Sequence, residues 1–180
     1  MNLTTERLQL HEITSADLEL IHELHSIPET DEFNTLGIPE SLEDTQKVIQ
    51  PAIEDQKNTI RKQYCWKVRE KESEEFIGLA GLLLSNDRFR KGEIYYKLHP
   101  GYWGQGYATE VAAELIRVGF DQLKLHRIEA GVATGNDRSV RVLEKIGMTR
   151  EGLCRKALPI RGKWMDYFIY GIVEDELNEL

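Results

Sequence analysis

The sequence is poor in cysteine and in long apolar segments, and each shortage excludes a class of protein. Its two cysteines, Cys65 and Cys154, lie far apart and supply neither a zinc-binding spacing nor a disulfide framework. A reducing compartment, the cytoplasm, therefore fits best. The longest apolar stretch, Phe76–Leu84, is far too short to cross a bilayer, and residues 1–10 lack the apolar core of a secretory signal. We expect a protein that is neither exported nor inserted in a membrane.

The sequence also lacks clustered positive charge. The chain has 23 Lys and Arg residues against 31 Asp and Glu residues, a formal net charge of −8 at pH 7, and no long basic run. A nucleic-acid binder would need a basic patch or stripe, so we expect no nucleic-acid partner. An acidic surface favours a cationic substrate such as an amine or a basic peptide, although many acidic proteins have no such partner.

What is present is the composition of a globular protein. With 180 residues, of which 41% are hydrophobic and 30% charged, the chain has the length of one domain. No repeat, low-complexity tract or linker divides it, which predicts a single domain over residues 1–180. Apolar periodicity predicts about seven strands and about four helices, and Pro51 should kink or divide the second helix. The strands cover residues 8–13, 64–69, 76–84, 93–98, 127–133, 149–157 and 163–172, and the helices cover 14–28, 41–53, 108–120 and 137–146.

The most informative segment is the glycine turn, residues 101–109. It joins the end of a predicted strand to the clearest helix, in which an apolar stripe runs from Ala108 to Phe120. Gly104 and Gly106 let the backbone turn tightly, so that consecutive N–H groups can point into one hollow. The helix adds its unpaired N–H groups and the positive end of its dipole. Such a site binds phosphate, although strand-to-helix turns also use glycine for steric reasons alone.

Two other phosphate-binding motifs fit this turn poorly. Thr109 stands where a dinucleotide-binding turn would have its third glycine. No Gly-Lys-Ser/Thr sequence follows, as a Walker-type loop would require. Both motifs are therefore minor alternatives.

Several motifs together resemble one family. Residues 102–110 match the pattern Tyr-Trp-Gly-x-Gly-Tyr-Ala-Thr-Glu, and residues 136–148 match an Asn-x-x-Ser helix that ends in Lys-x-Gly-Phe, with Met148 replacing the aromatic residue. Residues 5–10 and 162–166 match further segments. On these motifs the chain resembles the GNAT superfamily of N-acetyltransferases, and in particular its branch of ribosomal-protein alanine/serine N-acetyltransferases. Trp103 departs from the Arg or Gln that is usual in the superfamily, but it is the residue common in this branch.

The resemblance implies an α/β (α+β) GNAT-like fold around a mostly antiparallel mixed sheet. In that fold the strand 93–98 would splay from the strand around Ile128, and the pantetheine arm of acetyl-CoA would lie in the cleft like an extra strand. A main-chain N–H near Leu98 would polarise the thioester carbonyl. No metal is expected. The cofactor-binding residues implied are Leu98, Trp103, Gly104, Gln105, Gly106, Tyr107, Ala108, Thr109, Asn136 and Arg141.

Some of these residues have a second interpretation. Asn136 matches a family asparagine that contacts the cofactor arm, and it is equally suited to cap a helix. Arg138, Arg141 and Lys145 would meet the nucleotide phosphate through charge-assisted bonds, or would simply be solvated.

The resemblance also suggests the catalytic residues. Ser139 matches a serine that is suggested to return a proton to the departing CoA thiolate, and a small polar residue in a first helical turn is the plainer alternative. The attacking amine must lose a proton, because an ammonium has no free lone pair. Glu93 is the candidate base because it lies on the strand that lines the cleft, unless it is only a solvent-facing charge. Asp166 is another carboxylate, equally plausible as a structural hydrogen-bond acceptor.

The sequence thus predicts an enzyme that transfers acetyl from acetyl-CoA to a primary amine, by direct attack in a ternary complex. The acceptor would be a protein N-terminus, a polyamine or a small-molecule amine, entering near residues 33–39 and 158–163. A catalytically inactive CoA-binding module and a binder of another phosphate-bearing nucleotide are the alternatives. Residues 22–25, His-Glu-Leu-His, are one residue short of His-Glu-x-x-His, which favours a solvated helix face over a metal site. The sequence leaves open whether the chain forms a homodimer.

Overall fold

The computed structural model describes residues 1–85 and 88–179, which form eight strands and five α-helices. The strands are β1 Leu3–Thr4, β2 Leu8–Glu12, β3 Gln63–Glu70, β4 Phe76–Leu84, β5 Lys91–Leu98, β6 Arg127–Ala133, β7 Thr149–Ile160 and β8 Lys163–Val173. The α-helices are α1 Leu18–His25, α2 Pro28–Asp31, α3 Leu42–Asp55, α4 Tyr107–Asp121 and α5 Asp137–Lys145. Short 3-10 helices cover Ser15–Asp17, Pro100–Tyr102 and Glu174–Glu179.

All eight strands form one mixed sheet, in the order β1-β2-β3-β4-β5-β6-β8-β7. The pair β5 and β6 is parallel, and the other six pairs are antiparallel. The predicted mixed, mostly antiparallel sheet is confirmed. The extra strand is β1, whose two residues are too few to show a period of two, and the extra helix is the four-residue α2.

The hydrophobic core lies on both faces of the sheet. On one face, Val111 and Leu115 of α4 and Leu143 of α5 pack in a cluster that includes Trp66 and Ala80. The strand residues next to Trp66 and Ala80 point to the opposite face of the sheet, because successive side chains of a β-strand alternate between its two faces. They join α1 and α3 in a second cluster, which contains Ile21, Leu24, Ile49, Ala52, Cys65 and Leu79.

The structure corrects several predicted boundaries on the α1–α3 side. The strand predicted over residues 8–13 is β2, which ends at Glu12, so that Ile13 lies outside it although Ile13 is fully buried. The helical pattern predicted to end near Pro28 ends at His25, and Pro28 begins α2, where a proline has no hydrogen bond to lose. At the other end of the chain, β7 continues past residue 157 to Ile160.

Pro51 does not divide α3, which runs unbroken from Leu42 to Asp55. Proline removes the N–H that would bond the carbonyl of Lys47, one turn earlier. Both residues are exposed, so water can bond that carbonyl. Ile49 and Ala52 are buried on the opposite side of the helix and hold it against the sheet.

The predicted signals at α4 and α5 agree with the structure. The apolar stripe of α4 is buried at Val111, Ala112, Leu115, Ile116 and Phe120, while Ala108 is half-buried. Helix α5 ends at Lys145, its C-cap is Ile146, and the following Gly147 has a left-handed φ of 79°. The N–H groups of Gly147 and Met148 bond the carbonyls of Glu144 and Leu143, which is the Schellman arrangement.

Among the described residues, no helix is long and apolar enough to cross a membrane.

Candidate active site

The candidate site opens where the two parallel strands in the middle of the sheet separate. Strands β5 and β6 pair at three positions, and the last pair joins Glu93 to Glu129. Beyond that pair, β5 continues to Leu98 and β6 to Ala133 without pairing to each other. Because the strands are parallel, the helices that follow them, α4 and α5, begin at the same edge of the sheet. The predicted splay is therefore present, and both helix N-termini lie at its open end.

The free edge of β5 offers main-chain groups to this opening. The N–H of His99 donates to the carbonyl of Ile77 on β4, at 2.9 Å. Successive residues of an antiparallel strand direct their hydrogen-bonding groups to opposite sides, so those of Leu98 are directed away from β4. In agreement, the carbonyl of Leu98 accepts a bond of 2.8 Å from Nε1 of Trp103.

The glycine turn closes the open end with a left-handed backbone. Gly104 and Gly106 have φ values of 79° and 84°, which L side chains rarely adopt. Gly106 is the N-cap of α4, and it provides no side-chain capping bond to the first turn. The N–H groups of Tyr107, Ala108 and Thr109 thus have no partner within the helix, and they meet the positive end of its dipole. This arrangement suits a phosphate group.

The N-terminal segment holds this turn in place. The carboxylate of Glu110 accepts hydrogen bonds from the Thr5 hydroxyl, from the Arg7 N–H at 2.8 Å and from the Arg7 Nε at 2.7 Å. Arg7 also donates to the carbonyl of Gln105 at 2.9 Å, and its guanidinium lies 4.4 Å from the centre of the Tyr107 ring. We call these five residues the N-terminal clamp. The sequence motifs contain Thr5, Arg7 and Glu110, but nothing in them indicates that they are in contact.

Helix α5 forms the second side of the opening. Asn136 is its N-cap and accepts a hydrogen bond of 3.2 Å from the Ser139 N–H, so the predicted capping role is present. The Arg138 guanidinium lies 4.7 Å from the centre of the Trp103 ring, which joins α5 to the glycine turn. Arg141 and Lys145 are exposed and form no ion pair within the described residues.

A tyrosine missed by the sequence analysis lies near Ser139. The buried hydroxyl of Tyr96 has no well-formed hydrogen bond to any described residue. Burial raises the pKa of Tyr96 to about 12, and Ser139 lies near enough to oppose that rise. The phenol is therefore protonated at neutral pH and has an unused donor beside the candidate acid.

Glu93 lies at the point where the strands separate. Its Oε1 is 3.8 Å from the position that a Cβ on Gly131 would occupy, so the carboxylate reaches across toward β6. The residue is exposed overall, but protein atoms crowd its carboxylate. This desolvation and the negative charge of Glu129 raise the pKa of Glu93 above its ordinary value, against the opposing charge of Lys91. Glu129 itself is bound by Lys91 and Arg127, at 2.7 and 2.8 Å.

A cavity of about 250 Å³ lies on the α2 side of the sheet. Arg161, at the tip of the β7–β8 hairpin, donates to the carbonyl of Pro28 at 2.7 Å and to Oδ2 of Asp31 at 3.2 Å. These bonds hold the hairpin against α2. The cavity includes residues from both segments predicted to meet the acceptor, and it is lined by Glu32, Phe33, Ile160, Arg161, Lys163 and Met165.

Asp166 and the histidine motif have structural partners. The side chain of Asp166 accepts the Lys156 N–H at 2.7 Å. His22 bonds the Thr45 hydroxyl at 2.8 Å. His25 is buried, which corrects the predicted solvated face, and burial lowers its pKa to about 4. Within the part of the chain that the structure describes, no group of three or more His, Cys, Asp or Glu residues could hold a metal ion.

Comparison with known proteins agrees with this geometry. The profile of the family described as "Acetyltransferase (GNAT) domain" matches residues 7–149. The chain belongs to the GNAT acetyltransferase family. The uncharacterized N-acetyltransferase YoaA of Bacillus subtilis is 34% identical over 174 residues, which are 96% of each chain.

Solved structures of GNAT proteins share the fold. A GNAT acetyltransferase from Bacillus anthracis is 30% identical, has a TM-score of 0.83, and is matched over 98% of this chain and 100% of that one. A spermidine N-acetyltransferase from Vibrio cholerae, in complex with CoA and spermine, has a TM-score of 0.84 at 23% identity, over 96% and 98% of the two chains. The predicted family, the GNAT-like fold, the enzyme class of N-acetyltransferase and the co-substrate acetyl-CoA are thereby confirmed.

Proposed function

We propose that this GNAT protein transfers acetyl from acetyl-CoA to a primary amine by direct attack in a ternary complex. The observation that carries the proposal is the separation of β5 from β6 beyond Glu93, with the uncapped N-terminus of α4 at its open end. A cleft of this kind admits an extended thioester-bearing arm at the free edge of β5. The diphosphate would meet the main-chain N–H groups of residues 104–109.

The other proposed contacts with acetyl-CoA come from the end of β5, the glycine turn and helix α5. The Leu98 N–H would donate to the thioester oxygen as negative charge develops on it. Trp103 would shape the turn, while Gln105 and Tyr107 are held by Arg7 within the N-terminal clamp. Asn136 would contact the arm through the part of its amide that capping leaves free. Arg141 would meet the nucleotide phosphate from the exposed face of α5, together with Arg138 and Lys145 on the same helix.

Glu93 and Ser139 would carry the proton transfers. Glu93 would take a proton from the acceptor, whose nitrogen lone pair then forms the new bond to the acetyl carbon. Its raised pKa makes it a stronger base than an ordinary glutamate. Ser139 would give a proton to the sulfur as the carbon–sulfur bond breaks, and the Tyr96 hydroxyl would support it. No covalent enzyme intermediate is needed.

The acceptor would enter through the cavity between α2 and the β7–β8 hairpin. The chemical class of the acceptor stays a prediction: a protein N-terminus, a polyamine or a small-molecule amine. We also propose that residues 1–180 act as a single domain in the cytoplasm, where the thiols of Cys65 and Cys154 would stay reduced; both are free in the structure. The molar mass from light scattering would show whether the chain forms a homodimer.

The test is release of free thiol from acetyl-CoA in the presence of an amine panel that contains peptides, polyamines and small amines. We expect thiol release that depends on both protein and amine, with the acetylated amine detected by mass spectrometry. Saturable CoA binding without release across the panel would instead favour the inactive CoA-binding module. Competition by another nucleotide, with no effect of CoA, would contradict the cofactor assignment.

A further inference from the structure

Two buried charged groups beside the cleft each contain an atom that forms no hydrogen bond within the described part of the chain. Nζ of Lys97 on β5 and Oδ1 of Asp31 on α2 are both shielded from solvent, and neither bonds any described residue. The other carboxylate oxygen of Asp31 is bound by Arg161. Burial lowers the pKa of Lys97 to about 8, and the negative charge of Asp31 acts in the opposite direction. The two groups therefore interact electrostatically. Burial of a charged atom without a hydrogen bond is costly, so a polar group is expected to bond Nζ of Lys97 and Oδ1 of Asp31.

Lys97 lies on the strand that borders the cleft, and Asp31 lies next to the wall of the cavity. Lys97 immediately precedes Leu98 and stands on the part of β5 that is not paired to β6. Its side chain shares a face of the strand with Tyr95, which packs against the cluster that contains α1 and α3. Asp31 adjoins Glu32 and Phe33 of the cavity wall and is bound by Arg161 of the opposite wall. An amine that enters through the cavity would therefore pass these two groups.

The chemistry of the two groups restricts what can bond both of them. A lysine ammonium only donates hydrogen bonds, and a carboxylate only accepts them. The bonding group must therefore present an acceptor oxygen to Lys97 and an N–H or O–H to Asp31. A polyamine offers donors and positive charge, so it would satisfy Asp31 and repel Lys97. His25, which also faces Lys97, adds no charge at neutral pH because its pKa is about 4.

We propose that Lys97 and Asp31 form an acceptor-recognition pair, which selects amines with a carbonyl oxygen on the adjacent carbon. Such an α-amino carbonyl unit offers its oxygen to Lys97 and an N–H to Asp31. It occurs in free amino acids and at peptide N-termini. The inference rests on the proposed function and deepens it by naming the class of acceptor.

The test compares acceptors that differ in this unit: alaninamide, ethylamine and spermidine, with alanine and alanyl-alanine to distinguish the two sources. We expect kcat/KM for alaninamide to exceed that for ethylamine. In Lys97→Met the ratio of the two values should fall about tenfold or more, because a hydrogen bond to a charged group is lost. Taking the ratio cancels the different basicities of the two amines. Lys57→Met, at an exposed lysine that does not line the cavity, should leave the ratio unchanged.

Binding provides a second readout. Calorimetry on the CoA-saturated protein should show weaker binding of alaninamide to Lys97→Met, with ethylamine binding unchanged. Lys97→Gln keeps an N–H donor and should retain part of the preference, and equal melting temperatures would establish that the variants fold. An unchanged ratio, as expected if water alone bridges the pair, or a wild-type preference for spermidine, would overturn the inference. Absence of acetylation in all arms would contradict the proposed function, while the binding comparison would still decide the recognition pair.

Discussion

At the scale of the residue, Glu93 and Glu129 show how neighbours separate two carboxylates of the same type. They face each other in the last pair between β5 and β6. Lys91 and Arg127 lower the pKa of Glu129, so its carboxylate stays charged. Glu93 forms no such bonds with the residues that the structure describes, and the charge of Glu129 adds to the desolvation that raises its pKa. The unpaired carboxylate is therefore the one suited to accept a proton.

This difference predicts two distinct pH profiles. Glu93→Gln should lower kcat roughly 100-fold or more, which is the usual contribution of a general base. In the wild type, activity should fall as the pH drops through the raised pKa of Glu93, because only the charged carboxylate accepts a proton. Glu129→Gln is the matched control: it should retain that acidic limb but shift it to lower pH, because it removes the charge that raises the pKa of Glu93. A full-rate Glu93→Gln enzyme would exclude Glu93 as the base.

At the scale of the element, the glycine turn depends on a segment far from it in the chain. The Arg7 N–H donates a hydrogen bond to Glu110, although the two residues are 103 positions apart in the sequence. The guanidinium also lies 3.3 Å from the place that a Cβ on Gly106 would take. The shape of the turn is therefore determined both by its own glycines and by the N-terminal clamp.

Loss of the clamp should affect both stability and cofactor binding. We expect Glu110→Gln to lower the free energy of unfolding by about 1–3 kcal/mol, since it weakens several part-buried hydrogen bonds to one carboxylate. CoA affinity should fall as well, because the turn that holds the diphosphate loses its support. Glu114→Gln is a suitable control, because Glu114 bonds Arg117 within the same helix. Urea denaturation and calorimetry would measure the two effects, and equal CoA affinity in both variants would contradict the clamp's role.

At the scale of the whole molecule, ligand binding should stabilise the fold by mass action. At a CoA concentration 100 times its Kd, the free energy of unfolding should rise by about 2.7 kcal/mol. For a chain of this length that corresponds to an increase in Tm of roughly 5–10 °C. Gly106→Val should abolish the shift, because a branched side chain is strained at that left-handed position. Gly152→Val should preserve the shift, because among the described residues no heavy atom beyond those of its chain neighbours lies within 4 Å of its Cβ position.

Sequence reasoning recovered the parts of the molecule that local signals define. The α4 stripe, the end of α5 just before Gly147 and the glycine turn follow from residues close together in the chain. The N-terminal clamp and the Lys97–Asp31 pair were not predicted, because the topology of the sheet brings their members together. His25 was also misassigned, because the spacing of residues 22–25 does not reveal which side of α1 the sheet covers.

The position of Trp103 has a practical consequence for following these events. The chain has three tryptophans, and they lie in three different environments: Trp66 is fully buried, Trp164 is 64% exposed beside the cavity-lining residues Lys163 and Met165, and Trp103 stands between Leu98 and Arg138. The fluorescence of an indole changes when a charged group beside it moves away. The emission of Trp103 should therefore change if a ligand displaces Arg138. The protein thus contains three intrinsic fluorophores: Trp103 beside the proposed cofactor site, Trp164 beside the proposed acceptor cavity, and the buried Trp66 as an internal reference.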